Sequence, residues 1–318
     1  MIVRRNLDPR LTFLYAWKSL VYYMILALGV FVTHTYSESP RVSLPVYTIT
    51  ILSTAIAIFL GFNNNQAYDR WWEARKIWGL LVNYSRAWAR QVTTLFVPAA
   101  SRENGEWKAL QRKMVMRHAA FVHALRVFLR KKHAYNRDRT EYIVGRNEYT
   151  DLAHLLDKQE YDAFLKKDNP PNYLLQQQGE DLKYARDHGW INDFHFIQLD
   201  KTLVEFNNIQ GRSERIKNTP MPRPYSFFAR VFVFIHATLL PFALVGGLGW
   251  AMIPVSFLVS FVFLSLDILG ERTQDPFENR MEDTPMTALS LTIERNMKEQ
   301  LREPGLPEKQ PVEQGVLF

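Results

Sequence analysis

Thr54, Ile58 and Phe62 recur every four residues in a stretch that carries no charge from residue 42 to residue 68. That spacing puts the three side chains on one face of a helix. Ala55 and Ala57 beside them are small enough to let a neighbouring helix approach closely. If several copies surrounded an axis, the stripe would stack uncharged rings of Thr, Ile and Phe, a constriction that gates by wetting and dewetting. The plainer alternative is a packing stripe turned towards other helices of the same chain. Carried on at helical spacing, the same face reaches Gln66, Asp69 and Glu73, which suit either an ion pathway or a solvated helix surface.

The other chemistry-bearing residues point away from catalysis. His118 and His123 are five apart, which is not the i, i+4 pairing of a zinc helix. They read as ordinary helix residues. His34 and His236 are the only histidines in the apolar stretches. A proton-coupled carrier would place an ionisable group mid-span, and His236 is the one candidate, although a buried, hydrogen-bonded histidine explains it more simply. No Gly-rich phosphate loop, nucleophile elbow or metal-ligand cluster is present, and cysteine is absent. No enzymatic activity, cofactor or metal is expected.

The elements that position these residues follow from where charge is missing. Residues 231–266 lack Asp, Glu, Lys and Arg. One membrane-spanning helix needs roughly 20 residues for a ~30 Å hydrocarbon core, so this run is long enough for two. Gly246, Gly247 and Gly249, followed by Trp250 and Pro254, break it near its middle, which predicts a helical hairpin. Residues 20–36 form a short first span behind the basic head Arg4, Arg5, Arg10 and Lys18, and 42–68 a second. A cleaved signal peptide competes for the first window, but no small-x-small cleavage site follows it.

Residues 69–230 are charged throughout, with apolar positions at helical spacing: Leu80, Val82, Trp88, Val92 and Leu95, then Val115, Ala119, Val122, Leu125 and Leu129. Helix breakers collect at Pro98, at Asn169, Pro170 and Pro171, at Gly211, and at Pro220, Pro222 and Pro224. The expected organisation is therefore 1–68 with two spans, 69–226 as a cytoplasmic helical domain, and 227–268 with two more spans. Residues 269–298 form a second cytoplasmic helical segment, and 299–318, rich in Pro, Gly, Glu and Gln, a disordered tail. The mean hydropathy of −0.20 and the 22% of charged residues average over these two populations. The net charge of +7 suits cytoplasmic segments held inside a membrane better than nucleic-acid binding, for which no motif is present. An even number of spans leaves both termini and the charged middle on one side, the cytoplasmic side of an inner membrane.

Directly after Phe62, Tyr68, Trp71, Trp72 and Trp78 mix with Asp69, Arg70, Glu73, Arg75 and Lys76, the composition of a membrane–water interface. Here the sequence resembles the bestrophin family of ion channels. The block Phe59-Leu60-Gly61-Phe62-Asn63-Asn64, then Tyr68-Asp69-Arg70-Trp71-Trp72-Glu73-Ala74-Arg75 and Trp78-Gly79, is similar to that family's most recognisable motif. Further matches follow in family order: Glu214-Arg215 with Thr219, Pro220, Pro222 and Tyr225; Leu239-Leu240-Pro241-Phe242-Ala243-Leu244-Val245-Gly246; Asp275-Pro276-Phe277; and Thr292-Ile293-Glu294-Arg295-Asn296.

The resemblance implies an all-α membrane protein, a homopentamer with four transmembrane helices per protomer and a helical cytoplasmic domain around one pore. Its neck positions fall on Thr54, Ile58 and Phe62, and its cytosolic aperture on Phe194, beside Asp193. It implies partners limited to further copies of the chain, monovalent ions and membrane lipids. Thr54 departs from the aliphatic residue usual at the neck, which should ease wetting. Arg280 interrupts the acidic run Glu278 to Asp283, where animal members clasp calcium; a cation among would-be oxygen ligands does not suit Ca²⁺. The expected function is passage of monovalent ions. Gln66, Asp69, Glu73 and Asp193 are possible polar or charged pore-lining groups. The three acidic ones argue for cations such as sodium and potassium, whereas the overall charge and any helix N-termini aimed at the pore argue for chloride and other small anions. Anions are the reading adopted; a membrane-anchored interaction protein is the remoter alternative.

Overall fold

The computed structural model describes residues 1–4, 9–37, 43–97, 105–131, 148–312 and 315–318, with the side chains of its first helix described from Ala16 onward. Residues 38–41 between the first two expected spans, Arg5 of the basic head and the breaker Pro98 lie outside these residues. Along the described residues run α1 (Pro9–Ser37), α2 (Val46–Leu95), α3 (Glu106–Arg130), a 3₁₀ segment (Tyr149–Leu155), α4 (Lys158–Leu165) and α5 (Pro170–Asp187). There follow α6 (Asp193–Asn218), α7 (Arg223–Leu248), a short 3₁₀ turn (Gly249–Ala251), α8 (Met252–Thr273) and α9 (Met286–Leu301). Extended pairing among the described residues is limited to an isolated β-bridge between Ile2 and Val316. The chain forms two units: an apolar one, Arg4–Trp71 with Pro220–Asp275, and a charged one, Met1–Val3 with Trp72–Thr219 and Pro276–Phe318.

Among the described residues, three helical stretches are long and apolar enough to cross a membrane: Ala16–Ser37, Val46–Leu95 and Arg223–Thr273. The third is divided. Gly249, at φ 52° and ψ −132°, ends α7 in a conformation that a residue with Cβ adopts only under strain. α8 then runs back along α7: Ser226 Oγ donates to Gln274 Oε1 (3.2 Å) and Arg230 reaches Glu271 (2.5 Å), so the start of α7 meets the end of α8. The expected hairpin is there, with Pro241 inside α7 and Pro254 in the first turn of α8. Ala27 and Val30 of α1 pack on Val245 and Met252 near its tip. α2 lies against α7 through Ile56 and Leu60 on Ala229 and Val233, and through Ile49 on Leu240 and Ala243.

α2 does not stop near Tyr68. It continues as one helix of 50 residues, because Ala67, Ala74, Ile77, Trp78 and Leu81 keep a buried face at helical spacing. Leu80, one of the apolar positions at helical spacing, is exposed, and its neighbour Leu81 takes the buried position.

α3 is the hub of the charged unit. Val115, Ala119, Val122, Leu125 and Leu129 are all buried, as their spacing predicts, and so are the polar residues between them. Each buried polar group has a partner from another element. Arg117 pairs with both Glu160 of α4 and Asp181 of α5. Arg126 reaches Asp151 at 2.9 Å. His123 Nε2 donates to Glu294 of α9 at 2.9 Å, and His154 and Lys298 bond the same carboxylate. Burial alone would raise the Glu294 carboxyl, but these donors outweigh it and hold it far below its ordinary range. His118 sits at 2.8 Å from Ser85 Oγ, with its ring 4.2 Å from that of Phe206. Burial pushes its pKa down to about 3, so it is a neutral core ring.

Asn169 caps α5, its side chain accepting from Asn172 N–H at 3.2 Å. Gly211, an expected breaker, lies inside α6 without interrupting it. Composition predicts disorder over 299–318; instead α9 runs on to Leu301 and the chain end is held. Leu317 N–H donates to Met1 O (2.9 Å) and Ala288 N–H to Phe318 O (2.7 Å), with Val316 and Phe318 buried. A few apolar residues at the end of a polar tail suffice to anchor it.

Between α8 and α9, Asp283 is buried and accepts from Arg280 N–H at 3.0 Å. Burial raises its pKa to about 7, against the lowering effect of Arg280. A raised carboxyl contributes stability that is complete below its unfolded pKa and is lost as pH rises through about 7. Asp283→Asn is therefore expected to be about 1–3 kcal/mol more stable than the parent at pH 8 and no more stable at pH 4. Thermal unfolding of both proteins across that range checks it, and a pH-independent difference between them would contradict it.

Candidate functional site

The two faces of α2 have opposite fates in the apolar unit. Ile56 and Leu60 are buried, at 2% and 0% exposure, together with Asn63 and Ala67. Thr54, Ile58, Phe62, Gln66 and Asp69 are exposed in the single chain, Ile58 at 57% and Phe62 at 67%. Intrachain packing is thus done by the face that does not carry the stripe. The Thr54 hydroxyl donates to Thr50 O at 3.0 Å, which uses its proton within the helix and leaves only acceptor character outward.

Three contacts fix the rotation of α2 about its axis. Ser53 Oγ, adjacent in sequence to Thr54, lies 2.6 Å from Nε2 of the fully buried His236 on α7. His236 is accordingly a cross-helix hydrogen-bonding group, the simpler of its two expected roles. Lower down, α8 approaches so closely at Gly270 that a Cβ there would stand 2.2 Å from Asn64 Oδ1. Arg70 Nε donates to Gln274 O at 2.6 Å. Nothing in the sequence distinguishes Ser53 from other small residues of the run; the lone histidine was the available signal.

In the charged unit, Phe194 occupies the first turn of α6 and is 82% exposed. Asn192 caps that helix, accepting from His195 N–H at 2.8 Å. Asp193, beside Phe194, accepts from Arg186 Nε at 2.6 Å. Glu73 accepts from Arg215 Nη2 at 2.8 Å. Two of the carboxylates expected to draw cations therefore carry a guanidinium partner each. Gln66, Asp69 and Glu73 stay together along α2, as helical spacing predicts, whereas Phe194 and Asp193 belong to a different element. Neither arginine partner stands out in the sequence.

Comparison with known proteins adds four findings. A family model described as Bacterial/Fungal Bestrophin protein matches residues 13–299. The voltage-dependent anion channel-forming protein YneE of Escherichia coli K12 is 35% identical over 260 residues, covering 82% of this chain and 78% of that protein. A protein of Mesorhizobium japonicum, also named as voltage-dependent anion channel-forming, is 32% identical over 266 residues, covering 83% and 78%. The crystal structure of a bacterial bestrophin homologue from Klebsiella pneumoniae superposes with a TM-score of 0.79 at 30% identity, over 90% of this chain and 98% of that one.

Proposed function

Because this chain belongs to the bacterial and fungal bestrophin family, we propose that it assembles as a homopentameric channel for chloride and other small monovalent anions. It is a membrane channel protein, not an enzyme. In this reading α1, α2, α7 and α8 are four spans, the Gly249 turn returning the chain to the side it came from. The charged unit and both termini lie in the cytoplasm beneath the inner membrane, as the excess of Lys and Arg favours. Thr54, Ile58 and Phe62 form the neck, and Phe194 the cytosolic aperture.

The observation that carries the neck is the split of α2, whose stripe face is left exposed while the opposite face is packed against α7. Large apolar side chains at 57% and 67% exposure on one helix face need lipid, another protomer or a narrow pore beside them. Small residues next to the stripe favour close helix approach, and uncharged rings favour a dewetting gate.

Anion preference has two supports. Relatives from Escherichia coli and Mesorhizobium japonicum are named as anion channel-forming. In this chain, Arg215 and Arg186 partner Glu73 and Asp193, which weakens the carboxylate field that would attract cations. Asp69, exposed on the stripe face, is the observation that favours a cation channel of the same architecture. Reversal potentials of the purified protein in planar bilayers under a KCl gradient test the choice. A value near the chloride equilibrium potential is expected. A value near that of potassium would make this a cation channel, and a well-folded monomer without conductance would remove the channel reading.

A further inference from the structure

The corner between α5 and α6 is held by backbone hydrogen bonds and a helix cap. α5 ends at Asp187 and α6 begins at Asp193. Gly189, at φ 66°, turns the chain in the left-handed region, where glycine is unstrained. Its N–H donates to Arg186 O and that of Trp190 to Ala185 O, both at 2.9 Å. Trp190 and Ile191 are buried in the core, and Asn192 caps the next helix. Arg186 is thereby set against Asp193 at 2.6 Å, its guanidinium 5.5 Å from the Phe196 ring centroid. Cation–π contact and ion pair hold it from two sides.

Arg186 offsets a negative charge at this corner. Asp193 places a full negative charge in the first turn of α6 and Arg186 a full positive one against it. With both present the two offset each other; without Arg186 the Asp193 charge beside Phe194 stands unopposed, with Asp187 at the end of α5 adding to it. Phe194 is the next residue along the helix, well within the ~8–10 Å Debye length at physiological salt. Repetition around a symmetric ring multiplies this field without changing its sign.

We propose that Arg186 is the residue that sets ion selectivity at the Phe194 constriction, by offsetting Asp193 so that the permeating ion does not meet an unopposed carboxylate there. This rests on the pore reading of Phe194. It does not rest on anion preference, because the direction of each shift below is the same whichever ion the parent favours.

The test is the chloride-to-potassium permeability ratio, from reversal potentials of purified channels in planar bilayers under a KCl gradient. Arg186→Gln is expected to lower the ratio by about tenfold, the lower range of focusing by charged clefts. Asp193→Asn is expected to raise it, and Arg186→Gln/Asp193→Asn to return it close to the parent, since two opposite charges are then removed together. If Arg186→Gln does not assemble, the double variant, which leaves neither charge unpaired, and Asp193→Asn still order themselves against the parent. Unchanged ratios in Arg186→Gln or Asp193→Asn, in channels where Phe194→Ala alters conductance, would overturn the role of Arg186 and leave the aperture standing. If Phe194→Ala also changed nothing, the corner would lie off the permeation path, and the aperture reading would fall together with this inference.

Discussion

Phe62→Ala and Ile58→Ala channels are expected to pass more current or open more often than the parent, while Ile56→Ala is expected to lose folded protein. The three residues sit within two turns of α2 and differ in which face they occupy. Ile56 is 2% exposed and packs on Ala229 and Val233. Truncating it removes buried methylenes and leaves a cavity, at a cost of about 2–5 kcal/mol. Ile58 and Phe62 contribute little to packing within the chain, so their truncation leaves that packing intact. In the proposed pentamer it changes the bore: five phenyl rings at one level would leave an apolar passage too narrow for a hydrated ion, and alanine would lower the dewetting barrier. Single-channel recording together with the yield of assembled protein measures both effects. Parent-like conduction in Phe62→Ala, combined with altered gating in Ile56→Ala, would mean that the pore-facing side of α2 has been assigned the wrong way round.

Arg117→Ala is expected to be the most damaging single change in the charged unit. Arg117 is 1% exposed and pairs with two carboxylates, Glu160 and Asp181. Their negative charge stabilises its protonated form despite burial, and its pKa is raised. Removing the guanidinium leaves two poorly solvated carboxylates facing each other, with Lys113 only 3.9 Å from Glu160 as a partial substitute. Breaking a buried pair from one side costs about 3–5 kcal/mol, which for a unit of this size lowers the midpoint of thermal unfolding by roughly 10 °C. Arg117→Met with Glu160→Gln and Asp181→Asn should recover most of the loss, because it leaves no unpaired charge. An Arg117→Ala protein as heat-stable as the parent would show that the triad is energetically neutral.

Much of the architecture could be read along the chain. The uncharged runs, the glycines at 246, 247 and 249, and the break at Asn169, Pro170 and Pro171 mark elements by local chemistry: solvent preference, backbone freedom and the missing N–H of proline. The buried face of α3 was equally plain, because five apolar residues at helical spacing need only one neighbour to cover them. Periodicity also marked the stripe of Thr54, Ile58 and Phe62, but it could not say what the stripe faces. Ile56 and Leu60 form an equally apolar row on the other side of the same helix. Only packing against Ala229 and Val233, far along the sequence, decided which row is interior. Likewise, Asp193 and Glu73 are bare carboxylates in the sequence and ion-paired in the fold, because Arg186 is brought to one across a tight corner and Arg215 to the other by helix packing. Local signals determine which elements form and where they end. Electrostatic partners and the choice of buried face depend on distances between elements, which are fixed only when the helices pack.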